Sequence, residues 1–166
     1  MNLNLMTVED YFNSSLIAVV ICENSIYIYL EAASKAIFCW PWLRSARDCR
    51  RLGQKFRNLR FLDLSWGMND VAVEELTSML ASFNCLMELK LRGRQGWTNA
   101  SVVSMPKSCK QLEIIDITSC PDIEAESVEL FIVNCPRLKM IHVEESKLSD
   151  VSKWWASRKL VDMFHT

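Results

Sequence analysis

Apolar residues in this chain recur in a fixed figure. Leu59-x-x-Leu62-x-Leu64 returns as Leu86-x-x-Leu89-x-Leu91, as Leu112-x-x-Ile115-x-Ile117 and as Leu138-x-x-Ile141-x-Val143. The openings are 27, 26 and 26 residues apart. Two more columns keep the same step. Phe56, Phe83, Cys109 and Cys135 stand three residues before the next opening leucine, and Leu52, Met79, Met105 and Phe131 stand seven before it. Several columns at one period indicate a solenoid, in which a unit buries its apolar face only against its neighbours. Within each figure the alternation predicts a short strand, leucines turned to the core and the residues between them turned the other way. Val128, Phe131 and Ile132 have helical spacing, so a helix is predicted between strands. MNDVAVEELTSMLASF predicts another, with Asn69 or Asp70 as N-cap.

Through LRFLDLSW, LMELKLRG, LEIIDITSCPDI, LKMIHVEES and the tails KSCKQL and NCPRL, the chain resembles the leucine-rich repeat family over about Leu52 to Asp150. It is most similar to the cysteine-containing, ribonuclease-inhibitor-type subtype of F-box/leucine-rich-repeat proteins. That subtype has cysteine or asparagine at the ninth place of each unit. Cys120 conforms; Gly67, Arg94 and Ser146 depart from it. The resemblance implies an α/β solenoid, a short horseshoe with parallel strands on the concave face and helices on the convex one. It implies protein binding and, in the F-box branch, recruitment of substrates to an SCF-type ubiquitin ligase through its adapter and cullin. A stand-alone repeat scaffold unrelated to ubiquitin is the second reading.

Three segments follow: a capping region at 1–51 (irregular or helical, a degenerate repeat or an F-box remnant), repeats at 52–148, and a helical cap at 149–166. An F-box of this family usually opens with Leu-Pro, and the chain contains no Leu-Pro; its first proline is Pro41. DCRRLGQKFRNL resembles the end of such a box and equally the helix ahead of a repeat.

The apolar run Leu16 to Cys22 stops at Glu23-Asn24, far short of the about 20 residues a membrane span needs. Glu9 and Asp10 stand where a leader peptide carries positive charge. LIAVVICENSI fits a repeat opening as a buried strand, with Leu16, Val19, Ile21, Asn24 and Ile26 in place; the resemblance implies that Asn24, at the ninth place, satisfies backbone groups in the turn. Leu59 lies 43 residues on, not a multiple of the period, which leaves a long irregular unit or a chance match. IYIYLEAASKAIF predicts a helix with Leu30, Ala33, Ile37 and Phe38 on one face, ending before Trp40-Pro41. A second helix is expected from about Leu43 to Phe56. Its Arg47, Arg50, Arg51 and Lys55 read as a solvated face rather than a nucleic-acid patch. At the other end, SDVSKWWASRKLVDMF predicts a helix starting at Ser149 or Asp150, with Val151, Trp154, Trp155 and Leu160 covering the last unit rather than forming a docking site.

Composition narrows the function classes. Half the residues are hydrophobic, 23% are charged and the net charge is −1, a balance typical of globular proteins. It gives no electrostatic reason to expect nucleic acid or an anionic membrane as partner. Seven cysteines are present without a C-x-x-C pair, and Cys109 and Cys135 are one repeat period apart. They read as core filling, not as a disulfide framework or a metal site. The sequons at Asn13 and Asn99 carry no weight without an export signal, and the expected compartment is cytoplasm or nucleus. No nucleophile motif, glycine-rich phosphate loop or cofactor motif is present. An acid–base site can be drawn from His142 with Asp116, Glu144 and Lys90, but a lone histidine on an open surface is the plainer reading, and no catalysis is expected. His165, beside the end, is expected to be mobile.

Function is therefore expected on the concave sheet surface, where the residues between the leucines project. The first unit places Phe61, Asp63 and Ser65 there, with Trp66 at the rim. The second places Glu88, Lys90 and Arg92; the third Ile114, Asp116 and Thr118; the fourth Met140, His142 and Glu144. A largely apolar column beside a charged one resembles a surface for a protein partner. Ordinary solvated strand residues with cross-strand ion pairing are the alternative.

Overall fold

The third to fifth residues of each apolar figure form a strand, extended by one residue in the fourth figure, and these strands lie side by side. The computed structural model describes residues 17–22, 25–30, 35–37, 50, 54, 59–66, 72–105 and 110–165. Its strands are β1 (Ile17–Cys22), β2 (Ser25–Leu30), β3 (Lys35–Ile37), β4 (Phe61–Asp63), β5 (Glu88–Lys90), β6 (Ile114–Asp116), β7 (Met140–Val143) and β8 (Asp162–His165). Helices α1 (Val73–Leu80), α2 (Asn99–Ser104), α3 (Ala125–Asn134) and α4 (Asp150–Lys159) join β4 through β8 in turn. The sheet runs β3-β4-β5-β6-β7-β8, and every neighbouring pair is parallel. Strand order equals chain order. The molecule is thus an α/β protein whose main sheet is parallel, with β5 to β8 each reached through a crossover helix as parallel pairing requires.

Register follows the sequence period. Leu62 pairs with Leu89, Leu89 with Ile115, Ile115 with Ile141 and Ile141 with Met163. The hydrogen-bonded ladder outruns the strands at both ends. Met87 and Glu88 donate to Arg60 O, Glu113 and Ile114 to Met87 O, and Lys139 and Met140 to Glu113 O. Leu64 donates to Lys90 O, Leu91 to Asp116 O and Ile117 to His142 O, at 2.8 to 3.0 Å. The backbone of each unit is thereby satisfied by the next.

All twelve apolar residues of the four figures, Leu59 to Val143, are at most 5% exposed. Behind them the second layer is equally dry: Leu76, Met79, Leu80 and Phe83 from the α1 region, Trp97, Val102 and Met105 around α2, and Val128, Phe131, Ile132 and Cys135 from the α3 region. Each such large side chain contributes about 1.5–3 kcal/mol by leaving water. Helices pack in chain order, α1 on α2, α2 on α3 and α3 on α4.

Several sequence expectations are corrected here. Residues 17–22 form a strand, but β1 pairs antiparallel with β2 in a separate two-stranded sheet, so they do not open a parallel unit. Where a helix is expected over IYIYLEAASKAIF, Ser25–Leu30 and Lys35–Ile37 are strands; 31–34 and Phe38 lie outside the described residues. In SIYIYL, isoleucine and tyrosine alternate with a period of two, and β-branched and aromatic residues favour the pleated conformation. Arg50 and Gln54 are helical and exposed; the remainder of the expected Leu43–Phe56 helix lies outside the described residues. Asn69 and Asp70 also lie outside them, and the N-cap position of α1 is Ala72, which offers no capping side chain.

The C-terminal segment differs in two ways. Ser149 is the N-cap of α4, its Oγ accepting from Ser152 N at 2.9 Å. However, the buried face carries Ser152 and Ala156, while Val151, Trp154 and Leu160 are half or more exposed and Trp155 is partly buried against the core. The small residues let α4 approach α3 closely. Lys159 then reaches across to donate 2.7 Å bonds to Ile132 O and Val133 O, terminal carbonyls of α3. The chain also continues past the helix. Leu160 adopts the left-handed conformation (φ 56°), and β8 adds one more parallel strand, so His165 is paired opposite Val143 rather than loose.

Ile115 sits at the centre of this stack. Replacing it with alanine should cost about 2–5 kcal/mol, read as a lowered urea midpoint with a single transition.

Candidate protein-binding face

With the leucine parity fixed in the core, the opposite parity lines the other side of the sheet in straight columns. Phe61, Glu88, Ile114 and Met140 stand side by side, and so do Asp63, Lys90, Asp116 and His142. All eight are partly exposed. The pairing of β8 lengthens both columns, by Asp162 beside Met140 and by Phe164 beside His142. Those two residues were missed from sequence. Their signal was a fifth, short-spaced figure around Met163, disguised because Leu160 points to solvent and Val161 takes the buried place.

Specific contacts tie the columns together. Lys90 Nζ lies 3.4 Å from Glu88 Oε1 and 5.2 Å from the centre of the Phe61 ring. On a partly exposed surface the ion pair is worth about 0–1 kcal/mol and the cation–π contact about 0.5–1 kcal/mol. Both therefore orient side chains more than they hold the fold. At the other end, His142 Nε2 is 3.2 Å from Met140 Sδ, and its ring stacks on Phe164 with centroids 5.3 Å apart and planes 22° apart. Among the described residues His142 thus meets a sulfur and an aromatic ring, not the carboxylates of Asp116 or Glu144.

The remaining expected residues occupy the turn after each strand, and there the outcome divides. Ser65 and Thr118 are buried. Ser65 N donates to Asp63 Oδ1 at 2.9 Å; Thr118 donates to Asp116 Oδ1 from N at 3.0 Å and from Oγ1 at 2.5 Å. These are Asx turns, in which the aspartate closes its own loop. Arg92 and Trp66 are exposed. Glu144 is structural: Ser119 N donates to its Oε1, and Lys147 Nζ lies 3.6 Å from its Oε2. In the two preceding units the same job is done by backbone, Trp66 N to Arg92 O and Gly93 N to Thr118 O.

The eighth place of a unit is left-handed three times running: Trp66 at φ 58°, Gly93 at 70° and Ser119 at 59°. The ninth place serves the same carbonyl in consecutive units. Arg94, buried, donates from Nη1 to Leu64 O at 3.4 Å, and Cys120 donates from Sγ to Leu91 O at 3.0 Å. An arginine therefore reaches the acceptor position that a cysteine reaches one unit later. Gly67 lies outside the described residues and Ser146 is exposed.

Burial pushes the thiols of Cys120 and Cys135 up to about 11. Protonated thiols are poor nucleophiles and poor metal ligands. Among the described residues no group of three or more His, Cys, Asp or Glu side chains is placed to hold a metal ion. No helix among them is long and apolar enough to cross a membrane. A scan of the chain against protein-family models finds no match.

Gly93 carries the rim. Its φ of 70° suits glycine, and a Cβ there would overlap the Trp66 ring. Gly93→Ala should destabilise the protein by about 1 kcal/mol or more. In a Trp66→Ala background the overlap disappears and the loss should shrink to the backbone part, a coupling readable in a denaturation double-mutant cycle. The cysteines give a second check. Because the folded state holds their protons up to about 11 against an ordinary 9.0, stability should be full below pH 9 and fall as pH rises towards 11. Thermal melts across that range test the sign.

Proposed function

We propose that this chain is a leucine-rich-repeat solenoid that works as a protein-interaction module, with the sheet face of β4–β8 as its binding wall. The observation that carries the reading is the pair of columns in register. They set partly exposed Phe61, Ile114, Met140 and Phe164 among charged neighbours on a rigid, backbone-bonded frame. Apolar anchors within a polar surround are what protein interfaces use. The sequence period and the parallel strands in chain order support the repeat reading.

The wall mixes charges: Asp63, Glu88, Asp116 and Asp162 stand against Lys90 and Arg92, while Glu144 is already paired with Lys147. Association with a partner of complementary charge should therefore respond to added salt. The role is binding, not catalysis, and it needs no cofactor. By resemblance to F-box/leucine-rich-repeat proteins, the bound protein would be a substrate delivered to an SCF-type ubiquitin ligase. The second reading is a scaffold of the same architecture with no link to ubiquitin.

Affinity purification followed by mass spectrometry separates the two. Recovery of the ligase adapter and cullin supports the first reading; recovery of other partners without them supports the scaffold. In either case Phe61→Ala and Lys90→Glu should each weaken capture more than fivefold, the effect of losing an anchor worth over 1 kcal/mol, with the melting temperature nearly unchanged. Undiminished capture by the double variant would show that the wall is not the binding surface.

A further inference from the structure

Exposed apolar surface in this molecule is unevenly placed. Among the described residues, seven large hydrophobic side chains are exposed, and four of them (Val151, Trp154, Leu160 and Phe164) belong to α4, its cap and β8. At the same end of the sheet β8 is the edge strand among the described residues, pairing with β7 alone. Asp162 N donates to Lys139 O at 2.7 Å. In a parallel ladder the bonding direction alternates along the strand, so Asp162 and Phe164 face β7, and Met163 and His165 turn their N–H and C=O groups outward. Four outward backbone groups with no partner among the described residues are a template for another strand.

We infer that this edge is where two copies of the chain join, β8 against β8 in antiparallel pairing about a two-fold axis beside Phe164. That register places Met163 opposite His165 of the second copy, an outward-facing pair that exchanges both hydrogen bonds. Phe164 then stands opposite its own counterpart in the non-bonded, closer type of pair. On the wall side this makes a continuous row of His142, Phe164, the second Phe164 and the second His142, extending a stack that already exists within one copy.

The helix above the edge is self-complementary about the same axis. α4 returns the chain between two parallel strands, so it runs opposite to β8. Trp154 lies about 7.5 Å before the end of α4 at 1.5 Å per residue, and Phe164 about 7 Å beyond Asp162 at 3.3 Å per residue. The two residues therefore stand at nearly one level, and an axis beside Phe164 passes the middle of α4. Two copies of α4 would lie antiparallel on the same side of the joined sheet. Asp150 in the first turn of one then faces the last turn of the other, where Arg158 already covers the Trp154 ring at 5.1 Å. An acidic start and a basic end complement each other only in that orientation. Isologous pairing of this kind closes on itself and yields a dimer, not a fibre. The two walls become one continuous surface, which leaves the proposed binding face open.

Sedimentation velocity of the 166-residue chain over a concentration series tests this. The wild-type protein should sediment with twice its 19.2 kDa mass. His165→Pro removes an outward N–H without touching the bonds to β7, and Phe164→Asp puts like charges opposite each other. Each should weaken the dimer at least tenfold while leaving the far-UV circular dichroism unchanged. Phe164→Cys should form a covalent dimer under mild oxidation, absent from the wild type, because non-bonded antiparallel pairs sit at disulfide distance. A wild-type chain that stays monomeric at its highest soluble concentration would overturn the inference. So would a dimer indifferent to both His165→Pro and Phe164→Asp.

Discussion

From β3 to β7, neighbours across this sheet are 26 or 27 positions apart in the chain, and nearly everything else follows from holding that offset. Parallel strands of three or four residues offer few hydrogen bonds each, and the strand and helix of a single unit leave its leucines open to water on both flanks. Stacking solves both problems at once. The ladder passes from Arg60 through Met87 and Glu113 to Lys139 and on to Asp162, so each unit's backbone is completed by the next. The same offset brings Leu62, Leu89, Ile115 and Ile141 into one row. A slip of one residue would turn that row outward and the charged column inward, which no arrangement of the helices could compensate.

Fixing the inner parity creates the wall without further cost. Phe61, Glu88, Ile114 and Met140 are aligned because the leucines between them are. Within the wall, labour is divided by distance along the strand. At the centre, side chains meet others of the wall: Lys90 meets Glu88 and the Phe61 ring, and His142 meets Met140 and the Phe164 ring. Residues towards the turn are drawn into the frame. Asp63 and Asp116 close their own loops, Ser65 and Thr118 are buried by that closure, and Glu144 ends the ladder with a carboxylate where the earlier units use backbone. What the wall leaves exposed is the centre of the strands together with Trp66 and Arg92 at the rim.

What the chain reveals before folding is the part that repeats. The core rows, the strand positions and the eight central wall residues follow from the period alone, because a repeated pattern has only one register that buries it. The turn chemistry was hidden. Ser65 and Thr118 have the parity of surface residues and are buried by hydrogen bonds that parity does not describe. Arg94 breaks the cysteine pattern in type, yet reaches the equivalent carbonyl with a longer side chain. The ends were hardest to read, since a terminal unit has a neighbour on one side only and its pattern relaxes. In α4 the buried face is made by Ser152 and Ala156, so tryptophan and valine mark the wrong side. At the other end, the helical spacing of Leu30, Ala33 and Ile37 in IYIYLEAASKAIF masks the strand alternation of SIYIYL.

The central claim is that the units share one interior and stand or fall together. Native-state hydrogen exchange tests it most directly. Three amides bridge successive units at the same place: Leu64 to Lys90 O, Leu91 to Asp116 O and Ile117 to His142 O. In an Ile141→Ala variant, whose cavity lies at the far end, all three should lose protection by an equal factor, because they open only when the whole stack opens. Loss of protection at Ile117 alone, with Leu64 and Leu91 exchanging as in the wild type, would show units that open independently and would contradict it.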